Sequence, residues 1–212
     1  MTILAIILSF VLSYLLGSLN ISIIIGKIKG DDIRNHGSGN AGATNSLRTY
    51  GKKVAGLVLL GDFLKAVVSV LLGGLIAKLS GLEEFGYNLS KYASALGAVL
   101  GHNYPLYFGF KGGKGIITSV GSIFMLDPLA GLVILVSGVL VIALTRFVSL
   151  GSIVGAIMYP VFVISTNIGK KGESVPYYIA LSVIMATLAV YRHRANIKRL
   201  VQGNESKLGQ KK

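Results

Sequence analysis

Long apolar runs alternate along this chain with short polar segments rich in glycine and basic residues. Thr2 to Ile25 carries no charge, and a membrane-spanning helix needs about 20 mostly apolar residues. Val54 to Leu79 is a second run, with Asp62 and Lys65 inside it. Tyr92 to Phe110 is weaker, interrupted by His102, Asn103 and Pro105. Ile116 to Leu126 is short, and Asp127-Pro128 punctuates its end. Leu129 to Thr145, Leu150 to Ile168 and Val175 to Tyr191 complete the set. The pattern predicts seven membrane helices. Residues 26–53, 81–91, 109–115, 146–149 and 170–173 form the connecting loops, the second of them acidic. No basic segment precedes the first run, so a cleaved signal peptide is not expected.

Composition strengthens this reading. The 212 residues are 52% hydrophobic and only 14% charged, against roughly a quarter charged in soluble domains. Mean hydropathy is +0.69. Cysteine is absent, which excludes thiol nucleophiles, disulfides and cysteine-ligated metals. The net charge of +13 would suit nucleic acid in a polar chain. In one this apolar it points to cytoplasmic loops that face anionic lipid and anionic substrates. With the amino terminus outside, segments 26–53, 109–115, 146–149 and the tail lie inside and hold 16 of the 21 Lys and Arg. Joining residues 116–145 into one span would move the tail outside and worsen that bias. The expected fold class is therefore an all-α integral membrane protein with seven transmembrane helices, amino terminus outside and carboxyl terminus cytoplasmic. A single polytopic domain covers residues 1–200, and 201–212 form a basic cytoplasmic tail.

Two inside loops carry candidate chemistry. The first, His36 to Lys53, reads HGSGNAGATNSLRTYGKK. Its glycines, Gly42 among them, can present bare N–H groups that cradle an anion. Ser38, Asn40, Thr44 and Asn45 add neutral donors, and Arg48 adds a planar fork suited to phosphate or carboxylate. A flexible polar connector would have the same composition. Gly37, Gly39 and Gly42 formally match a dinucleotide fingerprint, but that motif needs a preceding strand, and an apolar helix precedes it here. The second loop, Gly101 to Gly115, reads GHNYPLYFGFKGGKG. Lys111 and Lys114 bracket Gly112 and Gly113, and Gly115 leads into an apolar run. If that run is helical, donors and dipole at its N-terminus favour an anion. His102, at the membrane edge, and Asn103 beside it are further candidates for binding substrate. His193 and Asn196 would share a face if the last helix continues beyond Tyr191. Asp62 and Lys65, at i and i+3, could pair to fix helix packing, or serve a substrate or proton path. No spacing suggests a metal site, and no cofactor is expected.

These residues bear a family likeness. Ser38-Gly39-Asn40-Ala41-Gly42-Ala43-Thr44-Asn45, with Arg48 and Gly51, resembles the first loop of the bacterial acyl-phosphate:glycerol-3-phosphate acyltransferases, the PlsY family. Gly101-His102-Asn103-Tyr104-Pro105, running on through Lys111-Gly112-Gly113-Lys114-Gly115, is similar to its second loop. Arg146 to Ser152 and Arg192 to Leu200 are similar to its third and carboxyl-terminal segments. The resemblance implies an enzyme of the bacterial inner membrane with its active site on the cytoplasmic side. It would move a fatty acyl group from acyl phosphate to the sn-1 hydroxyl of glycerol 3-phosphate. The products would be lysophosphatidic acid and phosphate, the first step of phospholipid synthesis. The expected partners are both substrates, membrane lipid and the enzyme that makes acyl phosphate. Counterparts of Ser38, Arg48, Lys111 or Lys114, His193 and Asn196 belong at the family's substrate site.

The chemistry suits the residues. Acyl phosphate is a mixed anhydride that needs no covalent enzyme nucleophile. A His-x4-Asp dyad is absent, because Ala41, Tyr107 and Lys198 stand five places after His36, His102 and His193. The proton acceptor is then His193 or the substrate's own phosphate. The rival class is a membrane transporter of a phosphorylated small metabolite. Against it, the chain shows no inverted repeat of the kind many transporters carry, and the polar motifs crowd one face.

Overall fold

The computed structural model describes residues 1–210, and every regular element among them is helical. Five segments are long and apolar enough to cross a membrane: Thr2–Ile28, Lys52–Leu79, Pro128–Thr145, Val148–Asn167 and Val175–Arg192. Two of the expected seven differ in kind. The third, α5 (Glu84–Asn103), has 20 residues but not the apolarity. The fourth, α6 (Ile116–Leu126), is apolar but has 11 residues, a rise of about 16 Å against a hydrocarbon core of about 30 Å. The contacts divide the chain into two compact units, one over Met1–Leu126 and another beginning at Asp127.

In the first unit, α1 (Thr2–Gly17) packs against α5 and α4 (Lys52–Leu79), and α6 packs on α4. Small residues make the approach possible. A Cβ on Gly17 would collide with the Ala98 backbone, and one on Gly101 with the Tyr14 carbonyl. Asp127 closes this register of helices where the sequence suggests it. Its Oδ1 accepts from the N–H groups of Leu129 and Ala130, both at 3.0 Å, capping α7 (Pro128–Thr145) ahead of Pro128.

Two expectations about loops need correction. Residues 81–91 are mostly not a loop, because α5 begins at Glu84. The polar stretch is tolerated in a helix because its serines bond locally: Ser90 Oγ donates to the Gly86 carbonyl at 2.9 Å. The same helix stops at Asn103, well before Phe110. Residues 26–53 are likewise partly ordered. They hold the end of α2 (Ile21–Ile28), a 3-10 turn at Ile33–Asn35 and α3 (Ala43–Tyr50).

The second unit packs α7 on α8 (Val148–Asn167) and α8 on α9 (Val175–Arg192). A Cβ on Gly151 would collide with the Gly138 carbonyl. The last helix does not run on unbroken: α9 ends at Arg192, His193 is the junction, and α10 (Arg194–Val201) follows. The tail after α10 returns to the bundle. The Leu208 N–H donates to the Arg146 carbonyl at 2.7 Å, and Arg146 Nη2 donates to the Leu208 carbonyl at 3.0 Å.

Candidate active site

The first glycine loop is built around Asn45, which is buried. Its amide nitrogen donates to the carbonyls of Ile33 and His36, both at 3.0 Å, and its oxygen accepts from the Ser38 N–H at 3.0 Å. Ser38 sits between Gly37 and Gly39, whose φ values of +54° and +68° are open to glycine. The result is a tight hairpin that presents Ser38 at the surface, with Arg48 exposed on α3 and Asn40, Gly42 and Thr44 half-buried. Below it, Ile23, Ile33 and Ala41 form a small apolar core against Tyr50 and Phe108.

Asp31 anchors the base of this loop. Its Oδ1 lies 2.8 Å from His36 Nε2, and its Oδ2 accepts from the Tyr50 hydroxyl at 2.8 Å. The bonds from His36 and Tyr50 hold the Asp31 carboxyl below the usual range. Burial and the bond to that carboxylate push the Tyr50 phenol up to about 12.

The second loop turns back through a 3-10 turn at Leu106–Phe108, with Gly109 and Phe110 both left-handed at φ +66° and +59°. The Phe110 N–H donates to the Pro105 carbonyl at 2.9 Å. The N–H groups of Gly112 and Gly113 then return to the carbonyls of Asn103 and His102 at 3.3 and 3.1 Å. The run from Ile116 is helical as expected, so Lys114 and Gly115 stand at the N-terminus of α6. Lys111 is exposed, Lys114 and Gly112 are half-buried, and His102, Asn103, Gly113 and Gly115 are buried.

Arg34 joins the two loops. Its Nη1 donates to the carbonyls of Phe108 and Lys111 at 2.8 and 3.2 Å, while Nε and Nη2 grip Asp32, the shortest contact being 2.7 Å. That bidentate bond lowers the Asp32 carboxyl and raises the Arg34 guanidinium. Beside it opens a cavity of about 710 Å³ lined by Lys27, Arg34, Gly39, Phe108, Lys111 and Gly112. Lys27 Nζ sits 4.9 Å from the centre of the Phe108 ring. Asp31, Asp32 and Arg34 were not singled out in the sequence. An Asp-Asp-Ile-Arg run has the look of a solvated charge cluster, and the carbonyls that Arg34 reaches lie more than 70 residues away.

In the second unit, the buried His193 places Nδ1 2.7 Å from the Ala189 carbonyl. A carbonyl only accepts, so Nδ1 carries the proton and, in the neutral ring, Nε2 keeps a lone pair. Asn196 donates to Glu205 Oε1 at 2.7 Å, and the Ser149 hydroxyl donates to the same oxygen at 2.7 Å. Arg199 Nε donates to Oε2 at 2.7 Å. Burial pushes the Glu205 carboxyl up, but these three bonds outweigh it and leave it below its usual range. The third and carboxyl-terminal motifs thus meet on an acid from the tail, which looked featureless in sequence. No group of three or more His, Cys, Asp or Glu side chains converges among the described residues.

Relatives with assigned activities share this architecture. The profile of the glycerol-3-phosphate acyltransferase family matches residues 7–203. A glycerol-3-phosphate acyltransferase of Clostridioides difficile (strain 630) is 45% identical over 203 residues, 95% of each chain. One of Thermoanaerobacter sp. (strain X514) is 44% identical over 206 residues, 97% of this chain and 96% of its own. The crystal structure of PlsY (YgiH), an integral membrane glycerol 3-phosphate acyltransferase, matches in its glycerol 3-phosphate form with a TM-score of 0.82. Identity to that form is 36%, over 96% of each chain. Its lysophosphatidic acid form matches at 0.79 and 35% identity, over 96% of this chain and 95% of that one. Sequence and fold agree over nearly the whole length, and the chain belongs to the glycerol-3-phosphate acyltransferase family of integral membrane proteins.

Proposed function

We propose that this protein transfers a fatty acyl group from acyl phosphate to the sn-1 hydroxyl of glycerol 3-phosphate. The sn-1 oxygen attacks the acyl carbonyl carbon and an ester bond forms. The bond from that carbon to the phosphate oxygen breaks, and inorganic phosphate leaves with lysophosphatidic acid as the other product. The hydroxyl proton passes to His193 Nε2 or to the substrate phosphate. The observation that carries this reading is the clamp of the two glycine loops by Arg34, beside a cavity lined by the basic Lys27, Arg34 and Lys111. Two anionic substrates need such preorganised positive charge.

Ser38 is assigned to hydrogen bonding with a phosphate or with the attacking hydroxyl. An acyl-serine would discard the activation already stored in the mixed anhydride. Asn40, Thr44 and the Gly115 N–H supply donors to phosphate oxygens, whereas Gly42, Gly112 and Gly113, whose N–H groups bond to the Asn40, Asn103 and His102 carbonyls, line the site as bare backbone. Asn45, His102 and Asn103 shape the loops, and Asn196 supports the site beside His193. The reaction needs no metal or cofactor. The proposed topology is seven crossings of the bacterial inner membrane, α5 and α6 included, with the amino terminus outside. It puts the loops and the carboxyl terminus in the cytoplasm. One acyltransferase domain spans residues 1–200, followed by the basic tail. The acyl chain lies in the bilayer, and the enzyme that makes acyl phosphate is the expected neighbour.

The deciding assay incubates purified protein with palmitoyl phosphate and glycerol 3-phosphate and follows phosphate release. Release that depends on glycerol 3-phosphate is expected. Equal turnover with palmitoyl-CoA as donor would refute the donor assignment.

A further inference from the structure

The first unit holds a buried cluster of ionisable side chains that the reaction above leaves unused. Asp62 and Lys65 lie one turn apart halfway along α4, and His102 stands near the end of α5. Their exposures are 3%, 9% and 4%. A lysine ammonium has three protons and no acceptor, and three acceptors surround this one. They are Asp62 Oδ1 at 2.9 Å, the Leu19 carbonyl at 3.0 Å and His102 Nδ1 at 2.9 Å. The same Nδ1 lies 3.4 Å from Asp62 Oδ1, farther than its 2.9 Å contact with the ammonium; an ammonium can only donate, so the shorter contact assigns the His102 proton to Nε2. Asp62 supplies the countercharge that an ammonium at this depth requires.

The other edge of the His102 ring faces the second glycine loop. A Cβ on Gly113 would collide with His102 Nε2 and come within 2.6 Å of the Ala41 carbonyl. Ala41 in turn accepts from Asn20 Nδ2 at 3.2 Å, one residue beyond the Leu19 carbonyl that Lys65 holds. A single ammonium therefore ties the end of α1, the middle of α4 and the end of α5 together. Through His102 it reaches the point where the first loop, at Ala41, meets the second, at Gly113.

We propose that Asp62 and Lys65 are positioning residues for the acyl transfer, locking the His102 ring with its Nε2–H edge against Gly113. That lock sets Gly113 and the adjacent Lys114 in register with the first loop. The proposal rests on the reading of the two loops as the phosphate-binding site. An ion pair that merely braces the helices would stabilise the fold and leave both ring tautomer and substrate affinity alone.

The test combines nitrogen-15 NMR of the three histidines with phosphate-release kinetics on the full chain in detergent. Wild-type His102 is expected as the Nε2–H tautomer and His193 as the Nδ1–H tautomer. Loss of one signal in His102→Gln and of the other in His193→Gln assigns them. Lys65→Met should release His102 into mixed tautomers. It should also raise KM for glycerol 3-phosphate about tenfold, with kcat changed less than about threefold, the scale of one charge-assisted contact. Asp62→Asn should show the same split, and it serves where Lys65→Met does not fold. The double variant Lys65→Met/His102→Gln should be no worse than His102→Gln alone, because Lys65 acts through the ring. An Nδ1–H tautomer at His102 in the wild type overturns the proposal whether or not any variant folds. An unchanged KM in a folded Lys65 or Asp62 variant, or additive losses in the double variant, also overturns it. Absence of phosphate release by the wild type would instead strike the functional reading, and the tautomer would still decide how His102 is held.

Discussion

Arg48→Ala is expected to lower kcat/KM about ten- to a hundredfold, the size of a lost charge-assisted bond to phosphate. The double variant Lys111→Ala/Lys114→Ala should fall at least as far. Arg48→Lys should also be impaired, since an ammonium cannot reproduce a planar fork. Full activity in Arg48→Ala and in the double lysine variant would remove these residues from the site. Asn45 tests a different kind of contribution. Its replacement by Ala leaves two carbonyls and the Ser38 N–H without their partner, which costs about 1–3 kcal/mol. A lowered Tm in detergent is the readout, and an unchanged Tm would count against the clasp. His193→Gln separates the two proton acceptors. A base at His193 produces an acid limb in the pH–rate profile that the variant lacks. The same limb in an active His193→Gln protein assigns the proton to the substrate phosphate.

Between elements, close packing and one carboxylate do most of the holding. Gly101→Ala drives a methyl into the Tyr14 carbonyl on α1, and overpacking of this kind costs about 1–3 kcal/mol. Thermal unfolding of the purified variant measures it. In the second unit, Glu205 joins Ser149 on α8 to Asn196 and Arg199 on α10. Its carboxyl titrates lower folded than unfolded, where its value is 4.5. The linked stabilisation is therefore complete above that value and lost as pH falls through the lower folded one. Hydrogen exchange at the Leu208 N–H, bonded to Arg146, should accelerate relative to its intrinsic rate on acidification through this range. Glu205→Gln should accelerate it already at neutral pH, and unaltered exchange in that variant would show that Glu205 does not hold the tail.

At the scale of the molecule, the distribution of basic residues sets the expected orientation. Cysteines introduced singly at Lys29 and Asn204, both exposed, should react with an impermeant thiol reagent only from the cytoplasmic side. One at the exposed Lys171 should react from outside. Labelling of Lys29→Cys in intact cells would break the seven-crossing topology.

Apolar run length and charge bias are local sums, and the chain alone was sufficient to determine a membrane-embedded helical protein, most helix positions and the two glycine loops. The break at Asp127-Pro128 was equally legible, because it is set by near neighbours, although the capping bonds of Asp127 themselves appear only in the structure. The start of α5 at Glu84 was not, because its polar residues read as loop until Ser90 finds its own helix carbonyl. Three arrangements depend on contacts between distant parts of the chain. Arg34 reaches carbonyls more than 70 residues away, Lys65 reaches His102 across 37, and Glu205 reaches Ser149 across 56. No pattern of residue types specifies which buried charge meets which acceptor. Only the packing of α1, α4 and α5 in one unit, and of α8 and α10 in the other, brought those partners within bonding distance.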